Sequence, residues 1–144
     1  MTFEGWTNSD AKLQAILNDG KEALRADHAA IIAGDPDADY VTFYNSPSSA
    51  AISRKWIKGF VDDDQTLVGR ARVFDPKVSV NSTGSGVLFY CVDESQGSTK
   101  NRKTGELQGT PKGESPHVQY RTLLDRSKNG VWKTMSSTTA QGAC

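Results

Sequence analysis

The chain has 144 residues, with 17 lysines and arginines balanced by 17 aspartates and glutamates, and two cysteines. That length suits one domain with its own core, and the balanced charge offers no general field for nucleic acid or an anionic membrane. No apolar run approaches the roughly eighteen residues of a membrane span, and the opening MTFEGWTNSD lacks both the basic and the apolar segment of a signal peptide.

Residues 1–8 show no periodic pattern and are expected to be flexible. Ser9–Ala33 reads as a long helix. Asn8 or Ser9 can cap it by accepting from the free N–H groups of the first turn. Leu13, Ile16, Leu17, Leu24, His28, Ile31 and Ile32 recur at spacings of three and four, which makes one apolar stripe. Gly20 is expected to kink or divide the helix, at about 1 kcal/mol relative to alanine. Gly34-Asp35-Pro36 ends it, glycine taking a left-handed cap and proline refusing to continue.

Asp37–Asn45 reads as a short helix or turn with Tyr40, Phe43 and Tyr44 at helical spacing. Ser46-Pro47-Ser48-Ser49 breaks it, and Pro47 suits the first turn of a further helix ending near Asp62, with Ile52, Trp56, Ile57 and Phe60 inward. Asp62-Asp63-Asp64 is a solvated exit rather than a metal site, because three adjacent side chains do not converge on one ion.

From Gln65 the period changes to two. Gln65–Phe74 and Lys77–Ser82 read as strands joined by Asp75-Pro76. Val87–Glu94 is a central strand, followed by a polar stretch, Gln96–Pro116, expected to be an exposed, mobile hairpin loop. His117–Asp125 and Val131–Thr138 complete the set around a tight Asn129-Gly130 hairpin. Helices followed by an antiparallel meander make an α+β fold, N-terminal helices packed on a curved antiparallel sheet of about five strands.

Cys91 sits in the central strand, and Cys144 is the other cysteine. One disulfide between them would pin the C-terminus, contribute about 4 kcal/mol by the chain-entropy estimate, and place the protein in an oxidising compartment. The alternative is two separate thiols, one buried and one frayed. With a disulfide, a leader is expected to have been removed and replaced by Met1.

Cys91-Val92-Asp93-Glu94-Ser95 with Thr104-Gly105 forms a C-x-D-x-S…T-G pattern, and Asn129-Gly130-Val131-Trp132-Lys133 precedes the terminal Cys144. Together these resemble small exported actinobacterial proteins, often lipoproteins, of the nuclear transport factor 2-like superfamily, over most of the chain. The resemblance implies a cone-shaped α+β fold, a cysteine pair joining the central strand to the C-terminus, and an extracellular or cell-envelope location. It assigns no reaction. A lipid-attachment cysteine near the start is lacking, so membrane anchoring has no support in the residues given. The superfamily also includes ketosteroid isomerases and SnoaL-like cyclases, and it often pairs through the open face of its sheet, which would make a homodimer.

An isomerase-type site needs a carboxylate base and an acidic hydrogen-bond donor facing a dry cavity. Asp93 is the candidate base, with Tyr90 or Tyr120 as donor. Alternation weakens the pairing, since Asp93 shares a face with Cys91, Phe89 and Val87 while Tyr90 points the other way. Asp93 also suits a loop-organising role at the strand's end. His28, on the apolar stripe, reads as a hydrogen-bonded core or rim histidine; the sharper reading is a pocket acid or base helped by Asp27. His117 is expected at the surface, and no metal-binding spacing or cofactor motif occurs.

The aromatics read mainly as core. At the open end of a cone, Tyr40, Trp56, Tyr120 and Trp132 would bind an apolar ligand with one polar handle. Lys100, Arg102, Lys103 and Lys112 form a basic patch, either solvated or a docking surface for an acidic partner or cell-envelope polymer. The resulting expectation is a secreted or cell-surface, non-enzymatic binding domain. One alternative is a small-molecule isomerase or cyclase using a cavity carboxylate. Another is a structural accessory domain of an envelope or phage-related assembly.

Overall fold

A computed structural model describes residues 1–144. Helix α1 runs from Ala11 to Ala33, α2 from Asp39 to Phe43 and α3 from Pro47 to Asp62. Asp10, one residue beyond the expected caps, accepts from the Leu13 N–H at 3.0 Å. Gly34 closes α1 in the left-handed conformation, φ 69°. Gly20 neither kinks nor divides the helix. It is buried against the sheet, where an added Cβ would lie 2.6 Å from Leu88 Cδ2, so its missing side chain sets how closely the helix approaches.

The sheet contains β1 (Thr2–Phe3), β2 (Gln65–Val80), β3 (Gly86–Asn101), β4 (Leu107–Gln108), β5 (His117–Arg126) and β6 (Trp132–Gln141). Strand order is β1-β2-β3-β5-β6, with β4 paired to the far end of β3. Only β1 lies parallel to its neighbour. Ile16, Leu17 and Leu24 of α1 pack on Val73, Leu88, Tyr90, Val92, Leu124 and Trp132 of the sheet. A smaller cluster joins Ala30 and Ile31 to Ala38, Val41 and Ile57. Burial of these side chains, each worth roughly 2 kcal/mol, holds the helices on one face of the sheet.

Four expectations are corrected. Residues 1–8 are ordered: β1 pairs with Arg72 and Val73, and Trp6 is buried between Phe3 and Tyr90. Two aromatics spaced by three residues give this segment enough apolar surface to dock. The two strands expected on either side of Asp75-Pro76 are one strand, β2, with a bulge where Asp75 takes φ 51°. The polar stretch after Glu94 continues β3 to Asn101 and returns as β4, so the loop is confined to a tight turn and residues 109–116. These residues pair with the start of β2 beyond the core, where backbone hydrogen bonding requires no apolar side chains. Finally, Ile52, Trp56 and Ile32 are exposed; of the α3 residues expected inward, Ile57 alone is fully buried.

Candidate functional site

Between α1, α3 and the helix-facing side of the sheet lies a cavity of about 500 Å³, reaching Asp27, Ser53, Trp56, Tyr90, Glu94 and Tyr120. A second hollow of about 380 Å³ continues outward along His28, Phe60, Arg70, Glu114 and the β4–β5 loop. The two share Trp56, Glu94, Tyr120 and Gln141 as common wall, so they form inner and outer lobes of one cleft.

Helical geometry puts Asp27 there. It stands three residues after Leu24 and four before Ile31, both buried, so its carboxylate emerges on the packed stripe of α1. Its Oδ2 accepts from Ser53 Oγ of α3 at 3.0 Å. Its Oδ1 is buried with no hydrogen-bond partner in the protein. Burial pushes the carboxyl up to about 6, against the opposing Ser53 bond. A buried carboxylate oxygen without a donor, in a side chain that lines a cavity, is an unsatisfied group at the cavity wall.

Opposite Asp27, Tyr90 of β3 and Tyr120 of β5 face each other in register and stack with centroids 5.0 Å apart at 5°. Burial raises both hydroxyls' pKa values, that of Tyr120 to about 12 with further upward pressure from Glu94 and Asp27. Both tyrosines therefore keep their protons at neutral pH. Glu94 is also raised by burial. It sits in a bulge: between the pairs Arg70–Gln96 and Arg72–Asp93, β3 carries one extra residue. Alternation along β3 already puts Glu94 on the inward face with Leu88, Tyr90 and Val92, and Asp93 on the outer face with Cys91; the bulge follows at that point.

The sequence-derived candidates divide accordingly. Tyr120 and Trp56 line both lobes, Trp56 at the mouth, and His28 lines the outer lobe. The His28 ring packs edge-on to Trp56, and its Nδ1 lies 3.0 Å from the Leu24 carbonyl, which requires the proton on Nδ1. Burial lowers the His28 pKa despite that bond, so the ring is neutral at pH 7. Tyr40 is surface-exposed outside the cleft, and Trp132 is buried in the core. Asp93 does not line either lobe. Its Oδ1 accepts from the Ser95 N–H at 2.9 Å, and its carboxylate lies 3.6 Å from His117 and 3.7 Å from Arg72. The Ser95 hydrogen bonds, then His117 and Arg72, hold it below the usual carboxylate range. That is the loop-organising role.

Two of the four residues of the basic patch have structural partners. Arg102 Nη2 donates to the Ile31 and Ile32 carbonyls at 2.8 Å each, capping the C-terminal end of α1, and Lys103 pairs with Asp64 at 3.1 Å. Lys100 and Lys112 are exposed. Arg102→Ala is expected to lose about 1 kcal/mol in urea unfolding and to speed amide exchange at Ile31–Asp35. Unchanged exchange there would show that the arginine does not hold the helix end. Cys91 and Cys144 are joined in a disulfide on the sheet face away from the helices, Cα atoms 6.0 Å apart. Glu94 is the site's unforeseen member, and Asp27 takes the central place rather than that of a helper to His28. An acidic residue between Leu24 and Ile31 on an apolar stripe was the available signal.

No protein-family model and no curated protein matches the chain. Solved structures do. A Catenulispora acidiphila protein superposes with TM-score 0.63 at 10% identity over 92% of this chain and 95% of that one. A ketosteroid isomerase-like protein from Erwinia carotovora gives 0.59 at 14% identity over 94% and 99%. A nuclear transport factor 2-like superfamily protein from Salmonella enterica gives 0.57 at 12% identity over 88% and 91%. With helices first, a bent sheet behind them and a cleft between, this chain has the nuclear transport factor 2-like fold.

Proposed function

We propose that this chain is a small-molecule-binding domain whose working surface is the cleft and whose polar anchor is Asp27. The observation that carries the reading is Asp27 itself, a largely desolvated carboxylate with one oxygen lacking any partner, in the wall of a cavity of about 500 Å³ shared with Tyr120 and Trp56. A ligand of mainly apolar body, offering one hydrogen-bond donor, would pair with that carboxylate and cover the rings. The disulfide supports a place of action in an oxidising compartment, outside the cytoplasm.

Asp27 supplies a first test without any ligand. With its carboxyl at about 6 folded against 3.8 unfolded, the folded state holds the extra proton between those values. Its contribution to stability is therefore most favourable below pH 3.8 and is lost as pH rises through about 6. The stability difference between Asp27→Asn and the parent should accordingly shift in favour of the variant from pH 4 to pH 8. A carboxyl-detected NMR titration should place the midpoint near 6. A pH-independent difference together with an ordinary midpoint would remove Asp27 as a desolvated anchor.

A second reading, acid–base turnover of an isomerase or cyclase kind, is favoured by one feature. Asp27 is poised near neutrality and acts on the Tyr120 hydroxyl across the cavity, pairing a proton acceptor with a protonated phenol donor. Turnover of a β,γ-unsaturated ketone to its conjugated isomer, followed by ultraviolet absorbance, tests it. Conversion by the parent and its loss in Asp27→Asn and Tyr120→Phe would support catalysis; binding without conversion would leave the binding domain alone.

A further inference from the structure

We infer that the ligand of this cleft is an organic cation, an aromatic or apolar body bearing a protonated or quaternary amine whose charge sits between Asp27 and Glu94 and against the ring of Tyr120. The inference rests on the cleft being the binding site, and it adds the ligand's chemical class.

The charge distribution carries it. The whole chain is electrically balanced, yet its inner lobe is not. Asp27 and Glu94 both line that lobe, and none of its lining residues is lysine, arginine or histidine. The remaining titratable groups facing it are Tyr90 and Tyr120, both held protonated and neutral by burial. His28, Arg70, Glu114 and Met1, whose amino group acts on His28, belong to the outer lobe, where Arg70 supplies the cleft's one guanidinium. Two carboxylates without a basic partner repel an anion. A neutral alcohol would satisfy Asp27 but leave the field of Glu94 uncompensated. A cation answers both acids at once, and Tyr120 and Trp56 add aromatic rings whose quadrupoles attract the same charge. Ser53 Oγ gives Asp27 a single hydrogen bond, so the carboxylate keeps acceptor capacity for an ammonium N–H.

Three probes of one shape isolate the charge: naphthylmethylamine, naphthalenemethanol and naphthoate, titrated calorimetrically. At about pH 7.5 the amine is expected to bind on the order of ten-fold more tightly than the carbinol, with naphthoate weakest. The preference should shrink toward about pH 5 as Asp27 takes a proton. Asp27→Asn and Glu94→Gln, each checked for native circular dichroism, should bring amine affinity down to that of the carbinol. If the carbinol or naphthoate binds as tightly as the amine, the cationic class is overturned while the cleft remains a binding site. If none of the three binds, the inference and the binding-domain reading both fall.

Discussion

Cys144→Ser is expected to lower the stability of the folded chain by about 4 kcal/mol and its melting temperature by roughly 10 °C. The bridge closes a loop of 53 residues, from the middle strand of the sheet to the last residue. In the chain-entropy picture its effect comes from removing conformations of the unfolded chain, and a long loop gives a large effect. Cys144 is the better position to change because it is exposed, whereas serine at the buried Cys91 would add an unsatisfied hydroxyl to the lost bond. Thermal unfolding of the parent with and without reductant, beside the variant without it, makes the comparison. Reduced parent and oxidised variant should melt together. Equal melting of oxidised parent and variant would mean that the tether contributes nothing.

Gly69→Ala should cost about 3 kcal/mol or more, a large loss for a single methyl group. Gly69 pairs with Gly97 across β2 and β3, one step before the bulge that carries Glu94. Its φ is 86°, a conformation that side chains rarely adopt, and an added Cβ would lie 2.2 Å from the Gln96 carbonyl oxygen. A backbone oxygen, unlike the end of a leucine, cannot rotate aside. The strands would have to shift at the point where they bend around the outer lobe, which Gly69 itself lines. Urea unfolding measures the loss, and amide shifts should concentrate at Glu94–Ser98. A change below about 1 kcal/mol would show that the pairing there is slack.

Much of the architecture was legible because it is written in local chemistry. Pro47 at the first turn of α3 and Gly34 after α1 mark helix ends wherever the helices pack. The apolar run around Cys91 named the central strand, and the scarcity of cysteines named its partner. The site was less legible. Asp93 and Glu94 are adjacent in sequence and alike in chemistry. Alternation sets them on opposite faces, the first with Arg72 and His117 and the second in the cleft, but which of the two faces carries a cavity depends on where the helices pack.

The residues alone determined the order of the three helices and the main strands, the cap at Gly34, the one pair of cysteines that could join and most of the packed side of α1, since each depends on near neighbours or on composition. Tertiary structure decided the rest. It made one strand of Gln65–Val80, paired a polar arm of β3 beyond the core, docked the first residues through Trp6, and turned Asp27 from a helper of His28 into a half-satisfied carboxylate in the cavity wall. Periodicity reports which face of an element is covered; it does not report what covers it, and a carboxylate's chemistry depends on that.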